Sequence, residues 1–167
     1  MFYYDLTLRK AHKNDLKNML ELKLEVHSNH HRVALLNETD QIKWFDSLDQ
    51  DVYQPKNLVL IGIDLDIDVG VFFISNINYI NGTCDVGYDI YKQHREKGFG
   101  TRLVKSGIDF CKNILNLRKL NLEILEHNMA SIKVCLKNNF VYEGTKIKQI
   151  YKQGKYIDSL LYGLLLY

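Results

Sequence analysis

The sequence predicts one mixed α/β domain, in which helices pack on a sheet and many strands pair with the next strand along the chain. Three observations support this prediction. The length of 167 residues suits a single compact core. Strand-like and amphipathic helix-like segments alternate along the chain. Turn signals at Asn81-Gly82 and Gln153-Gly154 indicate hairpins. The only proline is Pro55 and no glycine-rich linker occurs, so residues 1–167 are expected to form a single domain.

The first third of the chain predicts a short strand and two helices. Asp5–Arg9 has strand character, and Lys13–Val26 has the apolar spacing of an amphipathic helix. A polar, histidine-containing stretch over Val26–Leu36 leads to a second helix over Glu38–Asp49. The pattern to this point is β-α-α.

The middle of the chain predicts three strands joined by tight turns. Leu58–Ile63 and Val69–Ile77 are β-rich and are separated by an acidic stretch over residues 64–68, which indicates a hairpin. Asn81-Gly82, a strong hairpin signal, then leads into a strand over Cys84–Tyr91.

The last third predicts helix, strand, helix and a final hairpin. A helix is expected over Thr101–Leu117, a strand over Lys119–Leu125 and a helix over Met129–Asn138. The hairpin pairs Val141–Tyr151 with Tyr156–Tyr167. The complete order is therefore β-α-α-β-β-β-α-β-α-β-β.

Composition argues against several classes of function. The net charge is +2 with 25% charged residues, so no nucleic-acid or anionic membrane partner is expected. No basic and apolar leader opens the chain, and its apolar runs are short for a membrane span, which favours a soluble, cytoplasmic protein. Three widely spaced cysteines argue against a disulfide framework and a zinc site. The histidines at 12, 27, 30 and 31 lack carboxylate or cysteine ligands at suitable spacing, so no metal is expected.

The most informative segment is the loop Arg95-Glu96-Lys97-Gly98-Phe99-Gly100, between a strand and a long helix. A glycine turn at a helix N-terminus directs backbone N–H groups and the positive end of the helix dipole at one point, which suits phosphate. The spacing matches neither a Walker loop nor a dinucleotide fingerprint, because Leu103 stands where the latter needs glycine. The alternative is an ordinary helix start after a glycine turn.

The loop pattern, Arg/Gln-x-x-Gly-x-Gly/Ala, resembles the acetyl-coenzyme A pyrophosphate loop of the GNAT superfamily of N-acetyltransferases. The segment from Asn128 to Gly144, with Ala130, Lys133, Lys137 and Phe140, resembles that family's closing motif. Asp85–Tyr88 and Gly154–Asp158 resemble the branch that includes ribosomal-protein, spermidine and nucleotide-amino-sugar acetyltransferases. The resemblance implies a central mixed, mostly antiparallel sheet of six to seven strands flanked by about four helices.

The resemblance also implies a set of residues that bind acetyl-coenzyme A, the co-substrate. A backbone N–H near residues 89–91 would stabilise the oxyanion, the loop would hold the pyrophosphate, and Asn128 would reach the pantetheine amides. By their charge, Arg95, Lys97 and Arg102 would complement the pyrophosphate and a ribose phosphate; the alternative is that they are solvated loop residues. Asn128 has the alternative role of capping the following helix. The expected cofactor-binding residues are Ile90, Arg95, Glu96, Lys97, Gly98, Phe99, Gly100, Thr101, Asn128 and Ser131.

Two side chains are candidates for proton transfer. Asp85 stands where relatives in this branch carry a glutamate that relays a proton through water; the alternative is a polar residue following a hairpin turn. Cys135 stands where the family often has the tyrosine that protonates the leaving thiolate; the alternative is a small core residue. Tyr88, Tyr91, Tyr142 or no acid at all could replace it.

Three functional hypotheses remain open. The first is acetyl-coenzyme A-dependent acetylation of a small primary amine, such as a nucleotide-linked amino sugar, a polyamine or an amino acid. The second is acetylation of a protein N-terminus by the same chemistry. The third is a sensor that binds acyl-coenzyme A without turnover. The protein is expected to act as a monomer or homodimer.

Overall fold

A computed structural model describes residues 5–24, 37–48 and 54–167 of the chain. Within these ranges, seven strands and four helices occur in the expected order. Single 3-10 turns precede α1 and follow β4. The elements are β1 Thr7–Lys10, α1 Leu16–Leu24, α2 Glu38–Asp46, β2 Leu58–Asp64, β3 Ile67–Asn78, β4 Thr83–Ile90, α3 Phe99–Asn113, β5 Lys119–Leu125, α4 Met129–Lys137, β6 Val141–Lys152 and β7 Lys155–Leu165.

The strands form one mixed sheet in the order β1-β2-β3-β4-β5-β7-β6. Every neighbouring pair is antiparallel except β4 and β5, which are parallel. Three hairpins account for the pairs β2–β3, β3–β4 and β6–β7. This arrangement confirms the α/β fold expected from the sequence, including the seven-stranded, mostly antiparallel sheet.

Two apolar clusters lie on opposite faces of the sheet. The larger cluster joins α3 and the alternate β4 residues Cys84 and Val86. The smaller cluster contains residues from α1, β2 and β3, together with Tyr91. Side chains alternate between faces along a strand. Consequently Tyr88 and Ile90 face α3 and α4, whereas Asp85, Gly87 and Asp89 face the side of α1 and α2.

Helix α3 packs directly against the sheet at two glycines, one on the helix and one on β2. A Cβ added to Gly107 would overlap the ring of Phe72, and one added to Gly62 would lie 2.5 Å from a methyl carbon of Leu103. Phe72 and Leu103 are both fully buried. This close packing fixes the position of α3 on β2 and β3.

The turn chemistry expected from the sequence is observed, with small differences in element boundaries. Gln153 and Gly154 both have positive φ, at 49° and 79°, as a two-residue hairpin turn requires. Helix α3 begins at Phe99, two residues before the expected start, because Gly98 in the left-handed conformation serves as its N-cap. The histidines at 27, 30 and 31 lie outside the described residues. No helix in the described ranges is long and apolar enough to cross a membrane.

Candidate functional site

The N-terminal end of α3 presents backbone donors that no side chain in the described part of the chain caps. Gly98, the N-cap residue, has φ 82° and ψ −3°. The first amide that bonds within the helix is that of Arg102, to the Gly98 carbonyl oxygen at 3.4 Å. The preceding N–H groups of Phe99, Gly100 and Thr101 therefore point out of the helix end, where the helix dipole is positive. A Cβ built on Gly98 would meet no heavy atom within 4 Å, so the space above these donors is open.

Side chains of the loop fold back on the backbone that precedes it. Arg95 Nε donates to the carbonyl oxygen of Ile90 at 3.0 Å, and Lys97 Nζ donates to that of Gln93 at 2.8 Å. Arg102, expected to complement a phosphate, forms an ion pair with Asp64 at 2.6 Å. Both loop cations, Arg95 and Lys97, are exposed beside the helix end. The positive charge therefore lies on the loop itself.

A split between β4 and β5 opens beside this helix end. The two strands pair only as far as Val86 and Leu122, although β4 continues to Ile90 and β5 to Leu125. Tyr91 N donates to Val69 O at 3.1 Å. Because hydrogen bonding alternates along an antiparallel pair, the backbone groups of Tyr88 and Ile90 point away from β3 and into the split. At ~3.4 Å per residue, the split extends about 14 Å along β4 from Val86 to Ile90.

The first turn of α4 lies on the Tyr88 side of the split. Asn128 Oδ1 accepts a hydrogen bond from Ser131 N at 3.1 Å, so Asn128 caps α4. The Tyr88 hydroxyl donates to Ser131 Oγ at 3.3 Å. A Cβ on Gly100 would lie 3.5 Å from the Tyr88 ring and 3.3 Å from a Val134 methyl group. Gly100 thus allows the start of α3, the end of β4 and α4 to meet.

Cys135 has no exposed surface and belongs to the larger apolar cluster. Burial raises the pKa of its thiol to about 12. A thiol with no exposed surface matches the core alternative better than the role of proton donor.

Asp85 lies on the opposite face of β4, beside the closed end of the split. Its two carboxylate oxygens accept hydrogen bonds from Asn76 Nδ2 at 2.7 Å and Asn121 Nδ2 at 3.1 Å. Among the described residues, none has a heavy atom within 4 Å of a Cβ added to Gly87, so none of them covers this surface next to Asp85. Asp89 follows on the same face and is half-buried.

Two features of this site were not assigned from the sequence. The pairing of Tyr88 with Ser131 joins residues 43 positions apart, and no local pattern encodes it. The second carboxylate, Asp89, could have been found from the strand alternation that places residues 85, 87 and 89 on one face.

Comparisons with known proteins agree with this geometry. The family model described as an acetyltransferase (GNAT) domain matches residues 5–141. A spermidine N(1)-acetyltransferase of Vibrio cholerae is 29% identical over 90 residues, which are 54% of this chain and 52% of that enzyme. An L-amino acid N-acetyltransferase of Escherichia coli is 29% identical over 75 residues, 45% of this chain and 46% of that enzyme. The matches thus span about half the length of these curated relatives.

Solved structures share the fold over nearly the whole chain. The crystal structure of the spermidine N-acetyltransferase from Vibrio cholerae in complex with coenzyme A and spermine superposes with a TM-score of 0.88, at 22% identity, covering 97% of this chain and 96% of that one. A chimera of the Vibrio cholerae enzyme gives a TM-score of 0.87, at 22% identity, with 98% and 96% covered. On the family match, which covers most of its length, this chain belongs to the GNAT acetyltransferase family.

Proposed function

We propose that this protein is an acetyl-coenzyme A-dependent N-acetyltransferase that acts on a small primary amine. The observation that carries the proposal is the uncapped N-terminal end of α3, with Gly98 as its N-cap, beside the split between β4 and β5. An anion-binding helix end next to an elongated opening in a sheet suits a long cofactor with a pyrophosphate at one end.

The residues present fit such a cofactor. The N–H groups of Phe99, Gly100 and Thr101 would bind the pyrophosphate, and the exposed Arg95 and Lys97 would neutralise its charge. The remaining loop residues, Glu96 and Gly98, would set the backbone path, since both have positive φ, at 61° and 82°.

Bound acetyl-coenzyme A would extend from that helix end into the split. The backbone N–H of Ile90, which points into the split, would bind the extended arm, and Asn128 and Ser131 would contact it from α4. Bound acetyl-coenzyme A supplies the acetyl thioester; the chain supplies binding, orientation and proton transfer.

Asp85 is the proposed base. A protonated alkylamine has a pKa of ~10.4 and must lose a proton before it can attack. Asp85 faces the surface beside Gly87 and directly precedes Val86, where the split closes. Its two amide partners orient the carboxylate. A proton would reach it through water, because its side chain is short.

The acceptor class is proposed from the charge of the same face. Asp85 and Asp89 lie on the same side of β4, with the open surface of Gly87 between them, so a cationic amine is favoured over a neutral one. The curated relatives named for spermidine and for L-amino acids point in the same direction. A polyamine is the leading candidate, because two carboxylates can pair with two of its charges.

The test is acceptor-dependent release of free thiol from acetyl-coenzyme A. The panel contains spermidine, spermine, amino acids, a nucleotide-linked amino sugar and peptides with free N-termini. Release with a polyamine supports the proposal, and release only with the peptides identifies a protein N-terminal acetyltransferase. Binding of acetyl-coenzyme A with no release from any acceptor would favour the sensor hypothesis. A single domain over residues 1–167, a cytoplasmic location and a monomeric or homodimeric state stay predictions.

A further inference from the structure

The phenol hydroxyl of Tyr88 lies against the first turn of α4. Its backbone points into the split, while its side chain extends over the α3 and α4 side and donates to Ser131 Oγ at 3.3 Å. The ring packs where Gly100 leaves room for it, since a Cβ added to that glycine would lie 3.5 Å from the ring. The side chain is therefore held from two sides, by α3 and by α4.

Tyr88 and Asp85 face opposite sides of the same strand, three residues apart. A group bound in the split would thus meet a carboxylate from one face of the sheet and a phenol from the other. Acetyl transfer needs this arrangement, since a proton leaves the attacking nitrogen on one side while the departing sulfur needs a proton on the other.

We infer that Tyr88 is the catalytic acid of this enzyme and donates its proton to the coenzyme A sulfur, in place of a residue on α4. This inference rests on the proposed function. The nitrogen–carbon bond forms as the carbon–sulfur bond breaks. The amine proton passes through water to Asp85, the sulfur takes the Tyr88 proton, and the phenolate regains a proton from solvent.

The surroundings of Tyr88 favour the protonated form of its hydroxyl. Burial raises the pKa of Tyr88 to about 12, with smaller contributions from Cys135 on α4 and Asp89 on β4, while the hydrogen bond to Ser131 opposes the rise. The phenol therefore stays protonated at neutral pH. Cys135, the alternative acid, lies in the core with no exposed surface.

Tyr88→Phe tests the inference against two matched variants. Tyr162→Phe removes a hydroxyl from another tyrosine on the same side of the sheet, and Cys135→Ala removes the alternative donor. We expect kcat of Tyr88→Phe to fall about 100-fold, the lower range for loss of a general acid, with the affinity for acetyl-coenzyme A unchanged. The two control variants should keep kcat within about threefold of wild type. A loss confined to Cys135→Ala would overturn the inference.

A second measurement needs no acceptor amine. The thiolate of bound coenzyme A absorbs in the ultraviolet, so its pKa can be followed by titration in wild type and in Tyr88→Phe. If Tyr88 donates to the sulfur, the variant should raise the thiol pKa by about one pH unit. An unchanged thiol pKa would overturn the inference even where transferase activity is established. If the pKa of the bound thiol depends on Tyr88 but no amine is acetylated, the proposed function is refuted and Tyr88 only contacts the thiol. A failure to bind coenzyme A would refute both.

Discussion

Replacing Gly98 with valine tests the anion-binding helix end directly. Gly98 has φ 82° and an open space where a Cβ would project. A valine there would place three carbons over the N–H groups of α3 and would exclude the pyrophosphate. The backbone cost of a left-handed non-glycine residue is about 1–2 kcal/mol. For a chain of this length, that cost lowers Tm by about 2–8 °C.

Gly154 provides the matched control for this loss of stability. It has φ 79° in the β6–β7 turn, and a Cβ added there would meet nothing within 4 Å. Gly154→Val should therefore lose about as much stability as Gly98→Val, for the same backbone reason, but it lies in a different turn from the proposed site.

The assay is thermal unfolding with and without coenzyme A. At 100 times Kd, the ligand stabilises wild type by about 2.7 kcal/mol, which corresponds to a rise in Tm of about 5–11 °C. Gly154→Val should keep this rise, and Gly98→Val should lose it. If Gly98→Val shows the full ligand-dependent rise, the amides of residues 99–101 do not bind the pyrophosphate.

Three further predictions concern the base, the packing of α3 and the response to acid. Asp85→Asn should lower kcat by about 100-fold and leave the affinity for coenzyme A unchanged, as steady-state kinetics and calorimetry would show; full activity would mean that another group takes the proton. Gly100→Val should lower the free energy of unfolding in urea by about 1–3 kcal/mol, because the methyl groups of the new valine would meet Val134. Adding Val134→Ala should recover part of that loss. Burial opposes ionisation of Asp15, but hydrogen bonds from Arg9 and the His12 amide lower the pKa of its carboxyl. The ionised Asp15 therefore stabilises the folded protein fully above its unfolded pKa of ~3.9, and this stabilisation declines as pH falls below that value. Asp15→Asn should therefore lower the free energy of unfolding by about 1–3 kcal/mol at pH 7 and by clearly less near pH 3. An equal loss at both pH values would contradict this account.

Local sequence determined the elements and the turns of this protein. The backbone preference of glycine predicts the positive φ at Gly98 and Gly154, and the short polar side chain of Asn128 predicts a helix cap that the structure contains. These features depend on residues within about four positions of each other, so a linear pattern can carry them. The resemblance to an acetyltransferase loop added the expected cofactor.

Tertiary structure decided which distant residues meet. The sheet order makes β4 and β5 parallel neighbours, and their separation after Val86 and Leu122 creates the split. Packing of α3 and α4 then brings Ser131 to Tyr88 and places Cys135 in the core, while the sheet brings Asp64 to Arg102. Such contacts depend on how strands are ordered and which face each side chain occupies, and these are properties of the assembled sheet rather than of any short segment.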